Sequence, residues 1–334
     1  MDWYVERGMP QLFTPAPKNG KSVGIIGAGP AGIACAAELS LMGYDVTIYE
    51  AKSEPGGLDT WGIAPYKMKR EDSLNEAKMV ERLGAKIKTG MRVGDTISVD
   101  DLTKKHNAIF LGVGLRTPTR LRIPGEDLPG VYDALTFIEK VTTRKWNSVD
   151  IGKRVAVVGA GNTAIDAVTE AKRLGAEQVM IIYRRSSEEM SAYDFEFKLA
   201  KIDGVNFYFL TAPKRVLGAG HVEAIECIRM RLGAMDAEGK RSAEPIPNSE
   251  FQIPVDMVIT AVGQIPEKNF LAQIPNLKME KGNVWVNQET YQTSNSKFFA
   301  GGDCINGGKE VVNAAADGKK AAHGIDNFLM NNRQ

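Results

Sequence analysis

Two glycine-rich turns, and the residues that follow each of them, carry most of the chemistry available to this chain. The first is Gly27-Ala28-Gly29-Pro30-Ala31-Gly32, with an acid, Glu50, about 20 residues beyond it, the spacing expected where a carboxylate meets a ribose. The second is Gly159-Ala160-Gly161-Asn162-Thr163-Ala164, followed by Arg184-Arg185. In such a turn the first glycine permits a tight reversal and the second lets the backbone approach a pyrophosphate. The third lets the following helix pack closely on the preceding strand. The pyrophosphate then meets free N–H groups at the helix N-terminus, where the helix dipole favours an anion. Glu50 suits an unmodified ribose hydroxyl, whereas a pair of arginines suits a 2′-phosphate. The second turn therefore favours NADPH over NADH, unless Arg184 and Arg185 only clamp the pyrophosphate or face solvent.

The elements needed to position these turns can be read on either side of them. Ser22–Ile26 is a short apolar, β-branched run that predicts a buried strand. An Ala-rich helical stretch runs to Leu41 and is broken at Gly43-Tyr44, and Asp45–Tyr49 predicts a second strand. The same order recurs with Arg154–Val158, a helix to Leu174, a stop at Gly175 and a strand at Gln178–Tyr183, so the unit is duplicated. Between the copies, Glu71–Leu83 predicts an amphipathic helix. Ala85–Thr89 and Ala108–Val113 predict strands, the latter apolar enough to be central in a parallel sheet. Further strands are expected at Val205–Thr211, Val222–Leu232 and Phe251–Val262, with a turn at Asp236-Ala237-Glu238-Gly239. A short strand at Lys297–Ala300 leads into Gly301-Gly302-Asp303, and a helix is expected from about Glu310 to Leu329. Asp303 is placed to accept a bond from a sugar-alcohol hydroxyl. The helix start beside it offers N–H groups to a developing negative charge.

Composition bounds the rest. At 334 residues the chain holds two domains of ordinary size, and a formal net charge of +1 indicates no nucleic-acid-binding surface. No apolar run is long enough to span a bilayer and the N-terminus does not read as a signal peptide, so no membrane insertion and a cytoplasmic location are expected. Cys35, Cys227 and Cys304 stand alone, as do His106, His221 and His323. They offer neither a zinc site nor a cysteine-ligated iron–sulfur cluster, and the missing CxxC argues against a redox disulfide. Residues 1–20, with Pro10, Pro15 and Pro17, predict an extended arm whose Trp3, Tyr4, Leu12 and Phe13 either pack back on their own domain or dock on a partner.

These pieces together resemble the two-dinucleotide-binding-domain flavoproteins, within them the glutamate synthase small subunit and the NAD(P)H-oxidising half of dihydropyrimidine dehydrogenase. The motifs that carry the resemblance are GAGPAG at 27–32, EPGGL at 54–58, GIAPYKMKRE at 62–71 and IPGEDLPGV at 123–131. The others are GAGNTAIDA at 159–167, YRRSSEEMSA at 183–192 and FFAGGDCINGGKEVVNAAADGK at 298–319. The resemblance implies an α/β fold of two Rossmann-like domains, the NAD(P)H domain (119–265) inserted into an FAD domain (21–118 and 266–334). It places FAD contacts on Gly27, Gly29, Pro30, Ala31, Gly32, Glu50, Gly56, Gly57, Leu58, Lys67, Val93, Gly112, Gly302 and Asp303. Nicotinamide-nucleotide contacts fall on Ala160, Gly161, Asn162, Thr163, Arg184, Arg185, Ala261 and Gly263, with Lys309, Val311 and Val312 near both reacting rings. Members that use either NADH or NADPH carry arginines after the second unit, which weakens the preference for NADPH.

The function expected is an FAD-dependent NAD(P)H:acceptor oxidoreductase, with hydride passing from NAD(P)H to FAD and single electrons then passing to an iron–sulfur partner subunit. The backbone at Val311 and Val312 would stabilise the reduced flavin, and no catalytic side chain is required. Family members usually begin with a helical iron–sulfur domain, and this sequence has only the arm, so either the clusters are expected on a partner or the electrons leave by another route. Alternatives are a flavoprotein subunit of a 2-oxoacid:ferredoxin oxidoreductase-type complex, a stand-alone diaphorase, and a nucleotide-sensing subunit without turnover.

Overall fold

A computed structural model describes residues 2–8, 10, 12–144, 147, 149–235 and 241–331. In chain order the first stretch holds α1 (Asp2–Glu6), β1 (Ser22–Ile26), α2 (Pro30–Leu41), β2 (Asp45–Tyr49), α3 (Leu58–Trp61) and α4 (Arg70–Arg82). It continues with β3 (Lys86–Lys88), α5 (Val99–Lys105), β4 (Ala108–Leu111) and β5 (Thr117–Pro118). The middle holds β6 (Val131–Asp133), α6 (Ala134–Thr143), β7 (Arg154–Val158), α7 (Asn162–Arg173), β8 (Gln178–Ile182) and α8 (Asp194–Ile202). After them come β9 (Asn206–Tyr208), β10 (Thr211–Leu217), β11 (Ala224–Met235), β12 (Arg241–Pro254) and β13 (Met257–Thr260). The return holds β14 (Gln264–Ile265), α9 (Lys268–Leu271), β15 (Met279–Glu280), β16 (Asn283–Val284), β17 (Phe298–Ala300), α10 (Asp303–Asn306) and α11 (Val311–Asn331).

The chain divides into two units. The first comprises Met1–Trp61, Met68–Thr117 and Gln264–Gln334, and the second comprises Gly62–Lys67 with Pro118–Gly263. Each is built on a five-stranded parallel sheet, in the order β17-β4-β1-β2-β3 in the first and β6-β13-β7-β8-β9 in the second. Both sheets are covered on both faces, which is why their central strands read as continuous apolar runs. Along β1, Val23 and Ile25 enter one core and Ile26 the opposite one. Along β7, Val155 and Val157 face one core and Ala156 and Val158 the other. The second unit also carries the antiparallel sheet β10-β11-β12.

Several boundaries differ from the sequence reading. The arm is not extended throughout, because Asp2–Glu6 is helical. Its later part lies back on its own unit through Ala16 N–H to Leu41 O (2.9 Å), Asn19 N–H to Gly43 O (3.1 Å) and Lys18 Nζ to Tyr44 O (2.9 Å). Leu12 and Phe13 remain exposed, and the Trp3 side chain lies outside what the structure describes. The run 205–211 is two strands, interrupted at Leu210, whose φ is +48°. The run 251–262 is also two: it ends β12 in the antiparallel sheet and begins again as β13 in the parallel one. An apolar run does not reveal which sheet a strand joins. The turn expected at Asp236–Gly239 lies outside the described residues.

In the first unit, α2 and α11 meet at Gly318, where a Cβ would lie 2.1 Å from Ala31 O and 3.1 Å from Cys35 N. These neighbours are helix backbone and cannot rotate away. Gly318→Ala should therefore push the two helices apart and lower the unfolding free energy by about 1–3 kcal/mol, read as a fall in the urea midpoint. An unchanged midpoint would show that the helices give way without cost.

Candidate functional site

Each glycine turn stands at the carboxyl end of its sheet, the edge where open α/β sheets bind ligands. In the first unit Gly27 follows β1, its N–H donating to Tyr49 O (2.9 Å), and it takes φ +96°. A Cβ there would meet Gly112 O at 2.5 Å, and one on Gly32 would meet Gly27 O at 2.0 Å. Gly29 differs, since its Cβ would touch only the Gly57 Cα, at 3.7 Å. Its backbone is extended, which alanine adopts freely (φ −77°, ψ −179°), and α2 starts beyond it with no side-chain cap. Helix-end N–H groups without a cap require another acceptor. The turn thus offers an open glycine face and uncapped amides, the two features a pyrophosphate requires.

Glu50 closes one side of this turn. Its buried carboxylate accepts from Ala28 N–H and Lys52 N–H, both at 2.8 Å, one bond to each oxygen. Each oxygen keeps a further lone pair for a ribose hydroxyl. Gly56 N–H donates to Ala28 O (2.7 Å), which holds the Pro55-Gly56-Gly57-Leu58 loop against the turn. Asp59, just beyond it, is buried, and burial with the nearby Glu76 and Asp303 charges raises its pKa to about 7. Val93 is buried in the core beside Ile109 and Leu111.

The returning segment is organised by a residue the sequence reading did not single out. Asp317, on α11, accepts from Gly302 N–H (3.2 Å), Asn306 Nδ2 (3.2 Å) and Tyr291 Oη (3.1 Å). An acid inside an otherwise small-residue helical stretch was the available signal. Asp303 accepts from Lys309 N–H at 3.2 Å, and burial raises its pKa despite that bond. Val311 and Val312 occupy the first turn of α11 with exposed side chains, Val312 at 72%.

In the second unit Gly159 N–H donates to Ile182 O (3.0 Å), matching Gly27. A Cβ on it would lie 2.2 Å from Ala261 O, so Ala261 packs directly under the turn, with Gly263 two residues on at φ +100°. Helix α7 begins after Gly161, again with no side-chain cap. Segment 190–193 crosses the turn. Ala192 N–H donates to Ala160 O (3.2 Å) and Tyr193 N–H to Asn162 Oδ1 (3.0 Å). Thr163 is partly buried on the first turn of α7. Arg184 is exposed just past β8, while Arg185 Nε donates to Arg241 O at 2.8 Å. One nitrogen of Arg185 is thus used by the fold, and Arg184 is the more available of the two. Lys67 belongs to the second unit, with Nζ 2.6 Å from both Asp166 Oδ1 and Glu196 Oε1.

The cysteines sit apart and buried, and burial raises the thiol pKa of Cys227 and of Cys304 to about 12 and that of Cys35 well above the usual thiol range.

The sequence profile of the pyridine nucleotide-disulphide oxidoreductases matches residues 21–318. Among curated proteins, the NADP(+)-dependent formate dehydrogenase subunit beta of Moorella thermoacetica is 38% identical over 319 residues, 95% of this chain and 45% of that protein. The glutamate synthase [NADPH] small chain of Escherichia coli K12 is 38% identical over 339 residues, 97% of this chain and 72% of that one. The chain spans about half the length of several of the curated relatives it matches. Mycobacterium tuberculosis FprA, solved in complex with NADPH, superposes with a TM-score of 0.77 at 21% identity, covering 95% of this chain and 85% of that one. Lactococcus lactis thioredoxin reductase gives 0.71 at 21%, covering 93% and 99%. At that identity these two establish the fold, α/β with paired Rossmann-like sheets.

Two outcomes follow. Gly29→Ala should leave urea unfolding within about 0.5 kcal/mol of the parent and lower FAD affinity at least tenfold, read by fluorescence titration of the apoprotein. Equal FAD affinity would remove the pyrophosphate from this turn. Glu170 on α7 is fully buried, and burial raises its pKa to about 7, with Arg173 opposing and Asp166 reinforcing. Between pH 4.5 and 7 the folded chain then holds a proton that the unfolded chain releases, so this group's stability contribution falls as pH rises. Glu170→Gln should raise the melting temperature more at pH 8 than at pH 5; a constant offset would mean that Glu170 is ionised throughout.

Proposed function

The chain belongs to the pyridine nucleotide-disulphide oxidoreductase family, and on that footing we propose that it is the FAD-dependent, NADPH-oxidising subunit of an electron-transfer complex whose acceptor is an iron–sulfur partner. The observation that carries this reading is the contrast between two otherwise matching turns. One is closed by a buried carboxylate, Glu50, and the other is followed by Arg184 and Arg185. The first suits the adenosine ribose of FAD and the second the 2′-phosphate of NADPH. The NADP(+) in the name of the formate dehydrogenase relative and the NADPH in that of the glutamate synthase relative support the same assignment, and their being subunits supports a partner.

Bound FAD would supply hydride acceptance from the nicotinamide and single-electron release. What this chain contributes is binding and electrostatics. Gly27–Gly32 and the amides at the start of α2 would hold the FAD pyrophosphate, with Glu50 on its ribose and Gly56-Gly57-Leu58 closing over it. Asp303 would accept from a sugar-alcohol hydroxyl. The peptide N–H groups of Val311 and Val312 would place the positive end of a 21-residue helix where negative charge develops. Ala160–Thr163, Ala261 and Gly263 would seat the nicotinamide nucleotide, with Arg184 on its 2′-phosphate. The redox work needs no thiol, in keeping with three buried, separate cysteines.

Anaerobic stopped-flow reduction tests the reading. NADPH should bleach the flavin at least tenfold faster than NADH at equal subsaturating concentration, and Arg184→Ala should raise the NADPH KM tenfold while changing the NADH KM less than threefold. Equal effects on both nucleotides would end the 2′-phosphate assignment.

A further inference from the structure

Gly62–Lys67 is covalently part of the first unit's loop, yet it packs with the second unit. Its last two residues meet one face of α7. Tyr66 Oη donates to Asp166 Oδ1 at 2.7 Å, and Lys67 Nζ lies 2.6 Å from the same oxygen. The Arg173 guanidinium lies 4.3 Å from the Tyr66 ring centroid. Lys67 reaches Glu196 Oε1 of α8 as well, again at 2.6 Å. Beneath these pairs the Glu170 carboxyl, Thr169 Oγ1 and Glu196 Oε2 are buried, Glu170 and Thr169 lying beside Tyr66. The strap therefore adds a positive charge and a hydroxyl donor, beside Arg173 of α7, to a face rich in buried acids.

The contacts form a closed circuit. Asp166 stands one helical turn past Asn162, at the glycine turn. Lys67 links Asp166 to Glu196, and α8 begins directly after Tyr193. Tyr193 and Ala192 return to the turn through Asn162 Oδ1 and Ala160 O. We propose that Lys67 is a positioning residue for the nicotinamide nucleotide, holding segment 190–193 over the second glycine turn through α7 and α8, and is not a flavin ligand. The proposal rests on the assignment of NADPH to that turn.

The test uses the FAD-loaded protein and NADP+, which binds without reducing the flavin. Calorimetric titration of Lys67→Met should show NADP+ affinity lowered at least fivefold, while FAD affinity and the position of the visible flavin band stay those of the parent. Asp166→Asn, which leaves Lys67 its bond to Glu196, should weaken NADP+ in the same direction. The double variant should be no weaker than the worse single one, because both break the same circuit. Lys67→Arg, which keeps the charge, should recover most of the affinity. A Lys67→Met protein with NADP+ affinity within twofold of the parent overturns the proposal. So does one whose flavin band or FAD affinity shifts while NADP+ binding holds, since that is the behaviour of a flavin ligand. A parent protein that binds FAD but neither NADP+ nor NAD+ would instead remove the NADPH assignment, and this inference with it.

Discussion

Backbone packed against backbone is the constraint on which the first unit depends. Gly32 lies against the Gly27 carbonyl, and Gly318 against the Ala31 carbonyl one residue earlier in the same helix. The first contact seats α2 on the turn that follows β1 and the second sets α11 against α2, both at distances that no side chain allows. Both helices then present their N-termini at fixed points, the ends where helix amides suit an anion. The residues that fix the fold and those that would hold the cofactor are accordingly neighbours. Gly27 and Gly32 serve the chain's own packing, while Gly29, between them, keeps an open face.

The second unit repeats the strand order but distributes its constraints differently. Ala164 stands where the first turn has Gly32; Gly159 packs on Ala261 as Gly27 does on Gly112, and segment 190–193 crosses the turn. That segment, from farther along the chain, holds the turn through one backbone bond to Ala160 O and one to the Asn162 side chain. Polar groups supply much of this support: Asn162, Asp166 and Glu196 each hold a bond that spans elements. Such bonds are exacting, because a buried carboxylate that loses its partner is costly.

This difference explains what the sequence made legible. The glycine turns, their flanking strands and the duplication follow from local rules: apolar runs, turn residues and a spacing of about 20 residues to Glu50. The parallel sheets and the family follow from those. The bonds of Asp317 to Gly302 and of Lys67 to Asp166 and Glu196 join residues distant in sequence, and no periodicity encodes them. The division of 251–262 between two sheets was hidden for a related reason, since a buried strand reads alike in either environment. Arg185 is a milder case: its place after β8 gives the expectation of a phosphate contact, but its bond to Arg241 O is visible only once β12 is placed.

The strap has a consequence for modularity. Although 118–263 is one continuous run, it is not the whole second unit, because six residues from an earlier part of the chain complete it. A fragment cut at those natural-looking boundaries would keep Asp166, Glu170 and Glu196 on α7 and α8 but leave behind Tyr66 and Lys67, which bond to two of them. A gene for the inserted half alone therefore encodes an incomplete domain. Exchange of that half between related proteins would have to carry the short distant segment with it.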